Sequence, residues 1–318
     1  MSQVIVVGAG VVGLSIAYEL ARAGHRVRIV ADLNTADTVS AVSAALWFPY
    51  RSERSPDADL MLERSLARFE ELLSVPEAGV VRRSGTVLER TLDPDRSWAK
   101  LFPEAVEVTP GRLPAGVLSG VRVALPLITV PDYLPWLGGR LRDLGVAFER
   151  RAVAAVAELA GSADAVVVAA GLRSGELLDD DRSVVPVRGQ IVRLSNPGLT
   201  DWITDEDNPG GLTYVFPRSA DVVVGGVAVE GSSDTTVHED VAAAILARVT
   251  ELVPELAAER VLGHAAGLRP ARPTIRVEPV PGHAVPVVAA YGHGGAGVTL
   301  SWGTAERVAT LLDELLKA

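Results

Sequence analysis

VIVVGAGVVGLSIAYELARAGHRVRIVAD, which spans residues 4–32, is the stretch of sequence that decides the fold. Its β-branched start, Val4–Val7, predicts a short strand. Three glycines in the spacing G-x-G-x-x-G come next, namely Gly8, Gly10 and Gly13. Apolar residues at helical spacing then predict a helix over Val11–Ala23, and a second strand follows over Val27–Val30. The stretch therefore predicts one βαβ unit at the start of an α/β fold.

Each glycine has a physical task in such a unit. Gly8 permits a tight turn off the strand, Gly10 lets a pyrophosphate approach the backbone, and Gly13 lets the helix pack close to the sheet. The helix N-terminus offers free N–H groups and a positive dipole end to phosphates. Asp32, just past the second strand, is placed to accept hydrogen bonds from an adenosine ribose. A dinucleotide is expected, and from these residues alone both FAD and NAD fit.

The composition narrows the range of functions. The chain has 318 residues and 48% hydrophobic content, enough for two domains or one large one with a substantial core. A net charge of −10 argues against nucleic acid and against an anionic membrane surface as partners. Because there is no cysteine, disulfides, thiolate catalysis and a flavin linked through cysteine are excluded. The histidines form no H-x-x-x-H pair, so no metal site is expected.

No targeting signal is recognisable at either end of the sequence. The first predicted strand begins close to Met1, which leaves no room for a signal peptide. The last three residues, Leu-Lys-Ala, do not form a peroxisomal signal. No apolar run approaches the roughly 20 residues of a membrane-spanning helix. The expected location is the cytoplasm.

The rest of the chain alternates between buried strands, amphipathic helices and polar loops. Ala163–Gly171 predicts a buried parallel strand whose carboxyl end opens at the ligand crevice. Antiparallel strands are predicted over Val187–Leu194, Thr213–Pro217 and Val222–Val229. Helices are predicted over Ala58–Leu73, Asp132–Leu144, Glu239–Val253 and Val298–Leu316. Pro135 and the pair Gly138–Gly139 are expected to interrupt the second of these. Asn196–Gly211 has little pattern and predicts either a mobile cover over a pocket or a plain surface loop.

Six stretches carry a resemblance to a known family. They are VGAGVVGLS (7–15), AALWFPY (44–50), VRGQIVRL (187–194), TYVFP (213–217), LRPARPTIRVE (268–278) and YGHGGAGVTLSWG (291–303). Taken together they resemble the D-amino-acid oxidases, within the wider family of FAD-dependent amine oxidases, and the similarity runs nearly end to end. The last two stretches are much more specific than the first. The resemblance implies FAD bound non-covalently, which agrees with the missing cysteine.

The resemblance also implies which residues hold the cofactor. They are Gly8, Gly10, Val11, Val12, Gly13, Asp32, Ser43, Ala44, Ala45, Leu46, Gly171, Arg269, His293, Gly294, Gly295, Gly297, Val298 and Thr299. The glycine-rich turn Gly292–Gly297 leads into the last predicted helix, and Thr299 would bond the carbonyl edge of the flavin. Backbone N–H groups and a helix N-terminus there suit the negative charge of a reduced flavin. For His293 a structural hydrogen-bonding role is expected rather than that of a base.

The substrate residues implied by the resemblance are Arg269, Tyr214, Gly295 and Tyr50. Arg269 would bind the substrate carboxylate together with Tyr214, and the carbonyl of Gly295 would take the amino group. A planar guanidinium matches a carboxylate bidentately, which lysine cannot do. Pro270 stiffens the segment that carries Arg269, whereas Arg272 is expected to be structural. No side chain is expected to act as an acid or base.

The predicted fold class is mixed α/β, with a Rossmann-like FAD-binding domain and an interleaved antiparallel-sheet substrate domain. We assign residues 1–52, 135–186 and 260–318 to a discontinuous FAD-binding domain. Residues 53–134 and 187–259 are assigned to the substrate domain. The dinucleotide elements lie at the two ends and in the middle of the chain, which is why the two domains interleave.

The predicted reaction is the oxidative deamination of a D-amino acid, with the Cα hydrogen going to the flavin as hydride. Its products are a 2-oxo acid, ammonia and, with O2 as acceptor, hydrogen peroxide. Gly226–Gly231 lacks the arginine expected of the D-aspartate oxidase branch, which favours neutral, apolar D-amino acids. The alternatives are a glycine or sarcosine oxidase, a D-aspartate oxidase, a quinone-linked dehydrogenase, an NAD-dependent reductase and a non-catalytic nucleotide-binding protein. A homodimer is a possible assembly that the sequence leaves open.

Overall fold

The computed structural model describes residues 1–50, 55–178 and 181–317. Within these ranges the strands are β1 (Gln3–Val7), β2 (Arg26–Ala31), β3 (Val80–Glu89), β4 (Val106–Glu107), β5 (Ser119–Ile128), β6 (Ala147–Arg150), β7 (Ala165–Val168), β8 (Val185–Leu194), β9 (Trp202–Asp205), β10 (Thr213–Pro217), β11 (Val222–Gly225), β12 (Val229–Glu230), β13 (Val261–Val280) and β14 (Val287–His293). The helices are α1 (Val11–Arg22), α2 (Pro56–Leu72), α3 (Val130–Asp143), α4 (Ser174–Leu177), α5 (Glu239–Leu252) and α6 (Gly297–Leu315).

The strands join into one mixed sheet with the order β4-β5-β3-β9-β10-β11-β8-β13-β14-β7-β1-β2-β6, and β12 pairs with β8. We call β14, β7, β1, β2 and β6 the parallel part, because each of these strands runs parallel to its neighbours within the group. The remaining strands form the antiparallel part, in which only β3 and β9 pair in parallel. The α/β fold class predicted from the sequence is confirmed.

The central strands of the parallel part are buried on both faces. Successive residues of β1 alternate between two apolar clusters. Val4 and Val6 pack in the cluster that includes α1 and α6 residues, whereas Ile5 and Val7 pack with Leu159 on the other face. The four residues of β7 are likewise fully buried. Continuous apolar runs are the sequence form that such two-sided burial requires.

One segment predicted as a loop contains a buried strand. Asn196–Gly211 includes β9, which lies between β3 and β10 in the sheet. Trp202 is fully buried, and its indole N–H donates to the carbonyl of Arg83 at 2.7 Å. Asp205 is also buried and is neutralised by Arg90 at 2.8 Å. The prediction of a patternless loop was wrong because a buried charged residue removes the hydrophobic signal of so short a strand.

Two further predictions of element bounds were wrong. Helix α3 continues through Pro135 because this exposed residue forfeits a single hydrogen bond, while Tyr133, Leu137 and Leu141 stay buried on the opposite side. The strand predicted over Val222–Val229 ends at Gly225, and β12 pairs separately with β8.

The division into two domains stays a prediction. Its boundary between residues 134 and 135 falls inside α3, and the boundary between residues 52 and 53 lies outside the described residues. In the described ranges, no helix combines the length and the apolar composition needed to cross a bilayer.

Candidate functional site

An elongated cavity follows the carboxyl ends of β1, β2 and β7 and continues over one face of the antiparallel part. Its empty space is about 2120 Å³, including the part that is open to solvent. Nearly all of the predicted site residues line it: Gly8, Gly10, Val11, Val12, Asp32, Ser43, Ala44, Ala45, Leu46, Tyr50, Gly171, Tyr214, Arg269, His293, Gly294, Gly295, Gly297, Val298 and Thr299. Gly13 is the exception. The fold therefore gathers residues from both ends and the middle of the chain at one place.

The turn after β1 depends on the absence of side chains at two glycines. Gly8 has φ +118°, and a Cβ at this position would lie 2.3 Å from the carbonyl oxygen of Ala169. A Cβ at Gly13 would lie 2.2 Å from the carbonyl oxygen of Gly8. Gly13 therefore lies beneath the turn, where α1 packs against the sheet, and does not line the cavity.

The N-terminus of α1 points into this end of the cavity. Its N-cap residue, Gly10, supplies no side-chain hydrogen bond. The first amide, that of Val11, donates to the Ser40 hydroxyl at 3.0 Å. The other amides of the first turn lack an acceptor within the helix and are available to an anion. Sequence reasoning missed Ser40, whose only signal was its position in a polar loop after Asp32.

Asp32 is paired with an arginine that sequence reasoning also missed. Arg173 Nη1 donates to the Asp32 carboxylate at 2.8 Å, and Arg173 Nη2 donates to the carbonyl of Val153 at 3.0 Å. Both side chains are about two-fifths exposed and line the cavity. Arg173 lies two residues after Gly171 in a short turn after β7, so the carboxyl ends of β2 and β7 bring the pair together.

The second glycine-rich turn places another helix N-terminus on the cavity. Gly292 and Gly294 take positive φ values of +88° and +55°, and α6 starts at Gly297. Its N-cap residue, Ala296, supplies no side-chain hydrogen bond. The hydroxyl of Thr299 donates to the carbonyl of Phe48 at 3.0 Å. The first amides of α6 have no acceptor within that helix, as at any helix N-terminus.

His293 is turned toward the protein. Its Nε2 lies 2.9 Å from the Thr304 hydroxyl, within α6. Burial lowers the pKa of His293 to about 4, so the ring is neutral at pH 7. The geometry suits a structural role that ties the glycine turn to α6.

Strand register builds the other end of the cavity. Thr204, Tyr214, Gly225, Ile191 and Ala265 are successive partners across β9, β10, β11, β8 and β13, so their side-chain positions share one sheet face. A Cβ at Gly225 would lie 2.4 Å from the Tyr214 hydroxyl, so the phenol ring rests on this glycine. Burial raises the pKa of Tyr214, although the Arg269 guanidinium acts in the opposite direction. The phenol is therefore a neutral hydrogen-bond donor.

Arg269 lies on the same face with a backbone partner. Its Nη1 donates to the carbonyl of Val227 at 2.9 Å, and its guanidinium carbon lies 6.0 Å from the centre of the Tyr50 ring. A Cβ at Gly189 would lie 2.6 Å from Nη2, so this glycine makes room for the guanidinium. Within the described ranges no carboxylate lies within 4.0 Å of Arg269.

Arg272, unlike Arg269, has a carboxylate partner among the described residues. Its Nε donates to Asp181 at 3.0 Å, and its Nη1 donates to the carbonyl of Thr274 at 2.9 Å. Two nearby groups, the Ser183 hydroxyl and the Tyr291 hydroxyl, also bond Asp181 and help to hold its pKa well below the usual range. The structural role predicted for Arg272 agrees with this set of contacts.

Tyr50 and Gly295 line the cavity at the same end as Arg269. A Cβ at Gly295 would lie 2.5 Å from Cδ1 of Tyr50 and 3.5 Å from Cδ of Arg269, so three of the four predicted substrate residues touch around this glycine. Residues 51–54, which follow AALWFPY in the sequence, lie outside the described residues. No cluster of three or more metal-ligating side chains occurs within the described part of the chain.

The cavity fits FAD. The N-terminus of α1, whose N-cap residue supplies no side-chain bond, meets a turn that only glycine can form, as a pyrophosphate requires. The N-terminus of α6, which likewise lacks an N-cap side-chain bond, lines the same cavity, and the cavity wall is largely apolar, as a flavin ring requires. On a doubly wound sheet, this arrangement defines a dinucleotide-dependent oxidoreductase.

Comparison with known proteins identifies the family. A family model described as FAD dependent oxidoreductase matches residues 3–311. The D-amino-acid oxidase of Rubrobacter xylanophilus is 43% identical over 99% of this chain and 97% of its own length. The D-amino-acid oxidase of Streptomyces coelicolor is 41% identical over 97% of this chain and 96% of its own. The chain belongs to the family of FAD-dependent oxidoreductases, which confirms the predicted resemblance and FAD as the cofactor.

The fold is also found among solved structures. Glycine oxidase from Bacillus cereus superposes with a TM-score of 0.81, at 21% identity, covering 99% of this chain and 95% of that one. At this identity the likeness shows the shared fold alone.

Proposed function

We propose that this enzyme oxidises neutral D-amino acids to 2-oxo acids, with release of ammonia and hydrogen peroxide. The observation that carries the proposal is the Arg269 guanidinium, which lines the cavity with no carboxylate partner in the described ranges. A cation held in a cavity wall by a backbone carbonyl is a receptor for an anion. The Tyr214 hydroxyl beside it supports a small carboxylate as that anion.

Arg269 and Tyr214 would fix the substrate carboxylate. Among the described residues, Nη1 of Arg269 donates to the Val227 carbonyl, and we assign Nη2 and Nε to the ligand. A planar fork of donors sets the direction of the carboxylate as well as its position. Tyr214 is neutral and buried, so its O–H adds one further donor to the same group. Holding the carboxylate in this way presents Cα in a defined orientation.

The turn before α6 would hold the reacting part of the site. FAD, when bound, takes up the Cα hydrogen with its electron pair and passes the electrons on to O2. We assign the carbonyl of Gly295 to the substrate amino group, because Gly295 lies against both Tyr50 and Arg269. Gly297, Val298 and Thr299 line the cavity, and their N–H groups would stabilise the negative charge that a bound flavin gains on reduction. His293 is neutral and bonded to Thr304, so we give it no acid or base role.

The choice of D-amino acids rests on the two bacterial relatives named D-amino-acid oxidases. When the carboxylate and the amino group are fixed and the Cα hydrogen has to face the flavin, one direction is left for the side chain, so one enantiomer is selected. Leu212 and Phe216 give the wall beside Tyr214 an apolar character. Glu206 also lines the cavity, and its negative charge disfavours an acidic side chain.

A substrate panel tests the proposal. Peroxide release by the FAD-loaded enzyme is measured with D-alanine, D-valine, D-methionine, D-phenylalanine and D-aspartate, with their L forms, and with glycine and sarcosine. We expect turnover of the neutral D forms and none of the L forms. Turnover of glycine or sarcosine alone would overturn the proposal in favour of a glycine-type amine oxidase. Turnover of D-aspartate alone would favour the D-aspartate branch.

The proposal extends to the location and the partners of the enzyme. We place the enzyme in the cytoplasm, with a D-amino acid and O2 as its small-molecule partners and no nucleic-acid partner, in keeping with the net charge of −10. A homodimer stays a prediction that light scattering of the FAD-loaded enzyme checks.

A further inference from the structure

Strand β9 adds a polar side chain to the substrate wall that the proposed reaction does not use. Thr204 pairs with Tyr214 across β9 and β10, which sets the two side chains next to each other on the cavity face. Glu206, two residues further on, lines the same cavity. The cavity wall near Tyr214 therefore includes a hydroxyl, a carboxylate and the apolar surface of Leu212.

The Thr204 hydroxyl is buried without a hydrogen bond. The residue is 4% exposed, and Oγ1 has no partner among the described residues. Thr213, its neighbour on the opposite face of the sheet, donates to the carbonyl of Gly211 at 2.9 Å and accepts from Arg248 at 3.1 Å. Buried polar atoms in proteins are nearly always paired, so an unpaired hydroxyl that faces a ligand cavity points to a partner on the ligand.

We propose that Thr204, with Glu206 beside it, is a specificity-determining residue for D-amino acids whose side chain ends in a carboxamide. This inference rests on the proposed function. A hydroxyl both donates and accepts, and a carboxylate only accepts. A carboxamide matches this pair, because its carbonyl accepts from Thr204 while its N–H groups donate to the carboxylate. An acidic side chain of similar length has no N–H to donate and meets the charge of Glu206.

Two pairs of nearly isosteric substrates isolate this effect. D-glutamine is compared with D-methionine, and D-asparagine with D-leucine, by kcat/KM for peroxide release. In Thr204→Val, which keeps the shape and removes the hydroxyl, we expect the amide-to-apolar ratio to fall on the order of tenfold for at least one pair. Thr204→Ser should restore the ratio. Thr213→Val, the same change on the face away from the cavity, should leave it as in the wild type.

Glu206 supplies a second, independent readout. Glu206→Gln removes the negative charge, so turnover of D-glutamate relative to D-glutamine should rise several-fold. Ratios that stay at the wild-type value in both Thr204→Val and Glu206→Gln, in yellow and folded enzyme, would overturn the inference. A wild-type enzyme that releases no peroxide from any D-amino acid would instead overturn the proposed function, so the two failures are distinguishable.

Discussion

The parallel and antiparallel parts of the sheet build their ends of the cavity in different ways. In the parallel part, the cavity is formed by the residues that directly follow a strand, such as Gly8 after β1 and Asp32 after β2. In the antiparallel part, it is formed by side chains from different strands, such as Tyr214 on β10 and Arg269 on β13. The shape of the first end depends on local turns, and the shape of the second end depends on strand register.

This difference has a consequence for substitutions. Substitutions of glycine that restrict the backbone should have their strongest effect on FAD binding and stability at the end of the cavity formed by the parallel part, because turns and helix N-termini set its shape. Changes of single side chains should act at the substrate end with little effect on folding, because the strands there are held by their own ladder.

Gly8→Ala should have the largest effect. A Cβ at this position would lie 2.3 Å from the Ala169 carbonyl, and φ is +118°. We expect loss of bound FAD and a decrease of at least about 3 kcal/mol in the free energy of unfolding. The flavin-to-protein ratio and urea unfolding measure this. Gly24→Ala is the matched control, because φ is +91° but nothing lies within 4 Å. Equal effects of the two changes would contradict a steric role for Gly8.

His293 should make the cofactor end sensitive to acid. Its pKa is about 4 in the folded enzyme, below the ordinary value of 6.5, so the unfolded chain binds the extra proton first. Its contribution to stability is present above pH 6.5 and is lost as the pH falls toward 4, to a total of about 3 kcal/mol. Unfolding free energies of wild type and His293→Asn, compared across this range, isolate the effect. A pH-independent difference between them would contradict a buried neutral ring.

Tyr214→Phe should weaken catalysis without loss of FAD. The change removes one donor to a charged group, which contributes about 1.5–3 kcal/mol, or roughly 10- to 150-fold in kcat/KM. The Phe216 ring, which stacks on Tyr214 at 4.8 Å, should keep the aromatic ring in place. Steady-state kinetics with D-methionine measure the effect. A loss larger than that of an Arg269 variant would mean that the roles of the two residues are interchanged.

Gly189→Ala should have the smallest effect, and it removes no functional group. The added Cβ would lie 2.6 Å from Nη2 of Arg269, at the far end of a flexible side chain, so the guanidinium moves aside. We expect KM to rise about tenfold while stability changes by less than about 1 kcal/mol. Gly263→Ala is the control, because nothing lies within 4 Å of its Cβ position. Equal KM values for the two variants would contradict the placement of Arg269 over Gly189.

The same comparison explains what the sequence could predict. The βαβ unit and both glycine-rich turns were predictable, because the spacing of glycines and apolar residues is local. Arg269 and Tyr214 were identified through the family resemblance. Strand β9 was missed because buried Asp205 interrupts its apolar pattern, and its neutralising partner Arg90 lies far away in sequence.

Other site residues depend on contacts that no local pattern encodes. Ser40 accepts from the start of α1, Arg173 reaches Asp32 across two strand ends, and Thr204 meets Tyr214 only through the register of β9 and β10. Gly189 could have been noticed as a glycine inside a strand, which often marks close approach of another group. The group that approaches, Arg269, is visible only in the folded chain.

The central claim is that Arg269 receives the substrate carboxylate, and Arg269→Leu tests it most directly. Two constants are measured on the same preparation: the dissociation constant of FAD, and that of D-methionine from anaerobic bleaching of the yellow enzyme. We predict that substrate binding weakens by about 2–5 kcal/mol while FAD affinity stays at the wild-type value. Arg269→Lys should recover only part of the loss, because the fork is missing. Substrate binding near the wild-type value in Arg269→Leu would contradict the account.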